Sequence, residues 1–298
     1  MPFRFPRKTA AIILGVAWAA AARPAPAADA DAVSRGEYLF TAADCTSCHT
    51  DIKNSGLVLA GGRALVTPFG TFYGPNITPD PKFGIGKWSE AEFHRALRSG
   101  VDDDGDYLYP VFPFTSFTHL TDGDIADIYA YLMAQKPVAQ RSKPHEIAFL
   151  FRWRPSLWFW RALFFSEGPL APLSGESTEW NRGRYLAEAV AHCQECHTPR
   201  NFLGALEESS AYSGNPKGPD KQNAPNITAD AETGIGKWSV DDVATLLDSG
   251  QTPDFDYVGS GMAETVKGTA HLTPADRDAI AVYIKSLPPI RSEKRKPK

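Results

Sequence analysis

The pentapeptide Cys-x-x-Cys-His occurs twice, as Cys45-Thr46-Ser47-Cys48-His49 and as Cys193-Gln194-Glu195-Cys196-His197. Together the two copies use all four cysteines of the 298-residue chain. Two cysteines three apart on a turn of helix reach two vinyl groups on one haem edge. The adjacent histidine then points back at the iron as its axial ligand. The motif thus demands two thioether links and one metal bond from five residues, so the polypeptide must wrap a flat, mostly apolar cofactor. Zinc ribbons pair Cys-x-x-Cys units about 15–20 residues apart, whereas here Cys193 lies far downstream of Cys48. A redox dithiol needs no following histidine.

The motifs are the most conspicuous part of a repeat that runs through the chain. Pro75-Asn76-Ile77-Thr78 returns as Pro225-Asn226-Ile227-Thr228. Gly84-Ile85-Gly86-Lys87-Trp88-Ser89 returns as Gly234-Ile235-Gly236-Lys237-Trp238-Ser239. Arg35-Gly36 with Tyr38-Leu39 returns as Arg182-Gly183 with Tyr185-Leu186, and His119-Leu120-Thr121 as His271-Leu272-Thr273. The chain therefore reads as two copies of one unit, and each copy reads as helical. Ser89 and Ser239 stand as N-caps before Glu90–Ser99 and Val240–Ser249, which Gly100 and Gly250 stop. Thr121 and Thr273 start final helices that end before Pro137 and Pro288. No run of alternating residues predicts a strand, and the Gly/Pro-rich stretches 56–75 and 213–225 read as loops. Between the copies, residues 148–172 carry eight Phe and Trp interleaved with Arg152, Arg154 and Arg161. Two readings stand for this segment: aromatics packed between the domains, or an exposed amphipathic surface for a membrane interface or a partner protein.

Residues 1–27 read as a secretory signal peptide. Arg4, Arg7 and Lys8 precede an apolar, alanine-rich run from Thr9 to Ala22 and a small-residue site at Ala25-Pro26-Ala27. The run is shorter than the ~20 residues of a membrane span, so the mature protein is expected to be periplasmic, either soluble or peripheral on the inner membrane. Cleavage removes four basic residues and no acidic ones, leaving 27 basic against 35 acidic, a balance of −8. That excludes a nucleic-acid partner as the default. The basic tail from Arg291 to Lys298 reads as a solvated terminus or as a docking patch.

The pool of second axial ligands is small. Met262 sits in the loop Gly259-Ser260-Gly261-Met262 before the last helix, where a thioether reaches the distal face of the second haem. The matching loop of the first copy, Tyr109-Pro110-Val111-Phe112-Pro113-Phe114, has no methionine. Met133 aligns with Lys285 in the final helix. The first haem therefore has either a substitute ligand, with His119 the first choice, or an open sixth position. His119 aligns with His271, so it also reads as a helix-start residue. Trp88 and Trp238 are either indole donors to a haem propionate or core tryptophans. Asn76 and Asn226 are either turn residues or haem-contacting donors. The Asp102–Asp106 run lacks the ligand pattern of a calcium loop and reads as a solvated acidic loop.

Arg35-Gly36-Glu37-Tyr38-Leu39, the two Pro-Asn-Ile-Thr and Gly-Ile-Gly-Lys-Trp-Ser repeats, Leu108-Tyr109-Pro110 and the stretch from Trp180 through His197-Thr198-Pro199-Arg200-Asn201 resemble the cytochrome c subunits of bacterial membrane-associated dehydrogenases, the alcohol and gluconate types among them. The resemblance covers nearly the whole chain after the signal peptide. It implies an all-α fold of two tandem class I cytochrome c domains, at residues 29–140 and 179–298, joined by an aromatic-rich linker at 141–178. It implies two covalently bound haem c groups, held by Cys45 and Cys48 with His49 and by Cys193 and Cys196 with His197 and Met262. It also implies electron transfer from a dehydrogenase partner to quinone, another cytochrome or a terminal oxidase, with no activity of the chain alone. This sequence departs from the family in two ways: better-known members have three haem domains, and members often have Met where Phe112 stands. The alternative is a dihaem redox enzyme of the peroxidase or thiosulfate-oxidising type, working at an open site on the first haem.

Overall fold

The structure is a computed structural model that describes residues 29–218 and 222–292; the expected signal peptide and most of the basic tail lie outside them. In the first half, α1 (Ala30–Ala42), α2 (Cys45–His49), α3 (Glu90–Ser99), α4 (Phe114–Phe117) and α5 (Asp122–Met133) follow one another. Helix α6 (Ser156–Phe164) lies in the connecting segment. The second half repeats the order with α7 (Thr178–Tyr185), α8 (Gln194–His197), α9 (Val240–Ser249), α10 (Ser260–Thr269) and α11 (Pro274–Ser286). Residues Leu186–Val190 continue α7 as a π-helical turn.

The helices begin and end where short polar residues dictate. Ser89 accepts from Glu92 N–H while the Glu92 carboxylate accepts from the Ser89 backbone, a closed capping box. Ser239 and Asp242 repeat it on α9. Gly100 and Gly250 end these helices at positive φ, 60° and 77°. Thr121 and Thr273 cap α5 and α11 through Asp124 and Asp276 N–H.

Helix α1 packs on α5, and α7 on α11. The glycine of each Arg-Gly-x-Tyr-Leu repeat is the contact point. A Cβ on Gly36 would lie 1.9 Å from the Asp127 carbonyl oxygen, and one on Gly183 1.8 Å from that of Ala279. Nothing larger than hydrogen fits at either crossing. One hydrophobic cluster runs through both halves, taking in Leu39, Phe40 and Ile125 from the first and Leu186, Val190 and Ile280 from the second.

The all-helical expectation needs correction. Strands β1 (Ala64–Thr67), β2 (Gly70–Tyr73) and β3 (Glu146–Ile147) form a three-stranded antiparallel sheet in the order β1-β2-β3. Thr67 pairs with Gly70 across the two-residue turn at Pro68-Phe69, and Val66, Thr67 and Thr71 supply β-branched residues suited to a pleated surface. The third strand comes from the segment expected to be only a linker. Gly70 permits that pairing, because a Cβ there would sit 2.3 Å from the Glu146 carbonyl oxygen.

Candidate functional site

Cys45 and Cys48 sit on the short helix α2, Cys193 caps the short helix α8 and Cys196 sits on it, and all four line one continuous cavity of 2210 Å³. Each motif histidine is oriented the same way. The His49 Nδ1–H donates to the Pro75 carbonyl and that of His197 to the Pro225 carbonyl, both at 2.8 Å. With Nδ1 carrying the proton, the Nε2 lone pair is free for a metal. Burial lowers the pKa of both imidazoles, the proline carbonyls acting the other way, which favours the neutral, ligating form.

The accepting prolines open the Pro-Asn-Ile-Thr repeats, and the asparagines lock that turn. Asn76 Oδ1 accepts from Thr78 N–H at 2.9 Å and its hydroxyl at 2.7 Å, while its Nδ2 donates to the Val138 and Gln140 carbonyls. Asn226 repeats the pattern with Thr228 and the Ile290 carbonyl. Both asparagines therefore serve as buried turn braces that hold the histidine-orienting carbonyl in place.

Burial pushes the Cys193 thiol up to about 12 and the Cys196 thiol up to about 11. As free groups they would be neutral thiols, unlike the thiolate pair of a redox dithiol. The two motifs approach each other closely enough that Cys48 and Asp44 act electrostatically on Cys196. An apolar cavity, two pairs of cysteines spaced for thioether links and two pre-oriented imidazoles together fit covalently bound haem c.

Met262 and Phe112 both line the cavity, as do Trp88 and Trp238. The Trp88 carbonyl accepts from the Tyr129 hydroxyl at 2.7 Å. Neither indole N–H donates to another described residue, so both are available to an acceptor in the cavity. The structure does not bring His119 there. Its Nδ1 is bonded to the Gly168 carbonyl at 3.0 Å, because residues 168–170 of the linker fold back against it.

Sequence reasoning missed several residues at the cavity. Glu195, inside the second motif, is buried and salt-bridged to Arg200. It also accepts from the Thr115 hydroxyl at 3.0 Å and the Ser116 hydroxyl at 3.3 Å, both on α4 of the first half. A lone carboxylate between paired cysteines was the available clue. His145 and Arg154 reach the cavity from the linker, and nothing in the local sequence signals it.

Part of the aromatic linker is packed and part of it is exposed. Phe165 and Trp160 meet the buried Phe114 ring edge-on at 5.0 and 6.4 Å, and the Arg161 guanidinium lies 4.5 Å over Phe165. Trp153, Trp158, Phe159 and Leu163 are exposed. Among the described residues, no helix is long and apolar enough to cross a membrane.

A family model described as Cytochrome c matches residues 33–136. The chain is 44% identical over 265 residues to a protein of Cereibacter sphaeroides named diheme cytochrome c-type, covering 86% of each. It is 40% identical to the cytochrome c subunit of the quinone alcohol dehydrogenase of Gluconacetobacter polyoxogenes, over 89% of this chain and 58% of that one. It is 39% identical to the gluconate 2-dehydrogenase cytochrome c subunit of Pantoea cypripedii, over 93% and 64%. The chain thus spans less than two thirds of the length of those two subunits.

Proposed function

The chain belongs to the cytochrome c family, and from that premise we propose that it is an exported dihaem electron carrier serving a dehydrogenase. In this reading residues 1–27 direct export to the periplasm. Residues 29–140 and 179–298 are tandem class I cytochrome c domains, and residues 141–178 join them. Cys45 and Cys48 hold one haem c, and Cys193 and Cys196 the other. His49 and His197 are the proximal ligands, Met262 is the distal ligand of the second haem, and Trp88 and Trp238 donate to propionates. The haem groups supply one-electron chemistry; the protein supplies ligation, burial and spacing.

The observation that carries this reading is the shared cavity. Two attachment motifs open onto one apolar space, so an electron entering at one site reaches the other without crossing bulk water. Carbonyl-braced imidazoles limit reorganisation on oxidation and reduction, because the ligand side of each site is already held by backbone. Electrons would come from a periplasmic or membrane-associated dehydrogenase and leave to quinone, another cytochrome or a terminal oxidase. The exposed aromatic face of α6 and the basic tail suit peripheral contact with the inner membrane.

The test is reconstitution. The purified holoprotein is mixed with a membrane dehydrogenase fraction and that enzyme's substrate. Rapid haem reduction is expected, and reoxidation on adding acceptor membranes. If the protein alone turned over peroxide or thiosulfate at enzymatic rates, and no dehydrogenase reduced it, the carrier reading would fail.

A further inference from the structure

We propose that the haem position served by His49 keeps an exchangeable sixth coordination site, open to a small neutral ligand, while the position served by His197 is closed by Met262. This rests on the reading that the chain holds two haems, and goes beyond the carrier role.

The two distal loops open in the same register, and the second is two residues longer before it reaches His271. Leu108 N–H donates to the Gly100 carbonyl at 2.8 Å, and Val258 N–H to the Gly250 carbonyl at 2.9 Å. Val101 bridges Tyr107 just as Gln251 bridges Tyr257. Counted from that opening, Phe112 falls opposite Met262, and both side chains line the cavity. The first loop presents a phenyl ring to the cavity and no thioether; the second presents a thioether.

The phenyl wall is fixed. Phe112 packs on Phe117 with ring centroids 5.5 Å apart. Phe114 is completely buried, and a Cβ on Gly100 would lie 2.5 Å from its ring. The loop therefore cannot swing another side chain into the place of Phe112. Among the described residues of α3, α4 and the loop at 108–113 that line the cavity, no side chain carries nitrogen or sulfur. Tyr109 is the polar member, and its hydroxyl donates to the Phe151 carbonyl at 3.4 Å.

The remaining candidates are held elsewhere. His94 bonds Asp122 at 2.9 Å, and His119 bonds the Gly168 carbonyl. Met133 packs against the core from α5 and does not line the cavity. His145 and His192 do line it, but each has a ring nitrogen engaged by backbone, the His145 ring also lying edge-on to Tyr109 at 6.1 Å. His145 Nδ1 accepts from Tyr73 N–H, two residues before the carbonyl that orients His49. His192 Nε2 lies 3.2 Å from the Ala43 carbonyl, beside Cys45.

The polarity and hydrogen-bond donors of a distal pocket decide which ligands it accepts. A wall of phenyl and aliphatic groups does not stabilise an anion. The class of ligand it suits is a small, uncharged diatomic.

Carbon monoxide is the probe, used on the full-length holoprotein after a haem count by pyridine haemochrome. The expected result is two haems per chain, one of them high-spin in the ferric electron paramagnetic resonance spectrum, and one carbon monoxide bound per reduced chain. Phe112→Met is expected to abolish both the uptake and the high-spin signal. Met262→Phe is expected to raise uptake to two. Two low-spin haems with no carbon monoxide uptake would overturn this inference alone. Wild-type uptake that persists unchanged in Phe112→Met would overturn it too. One haem per chain would instead overturn the two-haem reading beneath it.

Discussion

Arg98 and Arg277 solve one problem from different places in the chain. The carbonyls of Thr118 and Leu120, just before α5, need donors; so do those of Ala270 and Leu272 before α11. In the first half the guanidinium comes from α3: Arg98 donates to both carbonyls and pairs with Asp122 at 2.7 Å. In the second half it comes from α11: Arg277 donates to both and pairs with Asp248 at 2.8 Å. Asp248 occupies the position that corresponds to Arg98, so the charge has been exchanged between helices while the carbonyls stay satisfied. Removing either arginine leaves these acceptors without donors, and those of Arg98 are buried. Arg98→Ala is expected to cost about 2–3 kcal/mol, read as a lower denaturant midpoint with unchanged slope. Arg98→Lys is expected to recover only part of this, since an ammonium cannot span two carbonyls and a carboxylate as a planar fork does. No pattern in either half announces this exchange, because each arginine's partners lie in other elements.

At the scale of elements, the helix crossings carry the most stringent requirement. Gly36 and Gly183 let α1 meet α5 and α7 meet α11 backbone to backbone. Gly183→Ala is expected to destabilise by about 3 kcal/mol, since an added methyl must force two helices apart. A lower melting temperature together with a lower covalent haem content would register it. The helix ends were legible from sequence: the Ser-x-x-Glu and Ser-x-x-Asp boxes and the terminal glycines are local signals with local causes. The sheet was not legible. Its strands are two to four residues long, and β3 pairs with a strand some seventy residues earlier. Short apolar runs do not reveal a partner that distant, and Gly70 reads as a loop residue until Glu146 is seen against it. The linker was underestimated for the same reason, since it supplies a strand, a cavity wall and the carbonyl that captures His119.

For the whole molecule, the two halves are joined by a reciprocal exchange of tyrosines. The Tyr38 hydroxyl donates to Asp276 at 2.6 Å and accepts from Thr273 N–H at 3.0 Å. The corresponding Tyr185 hydroxyl donates to Asp124 and accepts from Thr121 N–H at 3.1 Å. The contact is self-complementary, as in a two-fold dimer of separate chains. Tyr38→Phe combined with Tyr185→Phe is expected to loosen this joint, splitting a single thermal transition into two in calorimetry. The joint also responds to acid. Hydrogen bonds from Arg182, and next from Tyr38, hold the Asp276 carboxyl below its ordinary value of 3.8, against the opposing effect of burial. The folded carboxyl is the stronger acid, so its contribution is present above about pH 4 and is lost as pH falls through the folded value. Arg182→Gln is expected to flatten the acid limb of a stability–pH curve; an unchanged limb would remove Asp276 from the account.

The sequence by itself displayed the two Cys-x-x-Cys-His motifs and the repeat that carries them. Five-residue motifs, caps and glycine stops act over one or two turns, so their meaning does not depend on what is far away. It also placed Met262 and Phe112 in matching loops. Only the tertiary structure decided that both motifs face one cavity, that His119 is turned away from it and that Glu195 is gripped from the opposite half. Those outcomes depend on contacts between residues tens to hundreds of positions apart, where burial and geometry choose among partners that local patterning leaves equivalent.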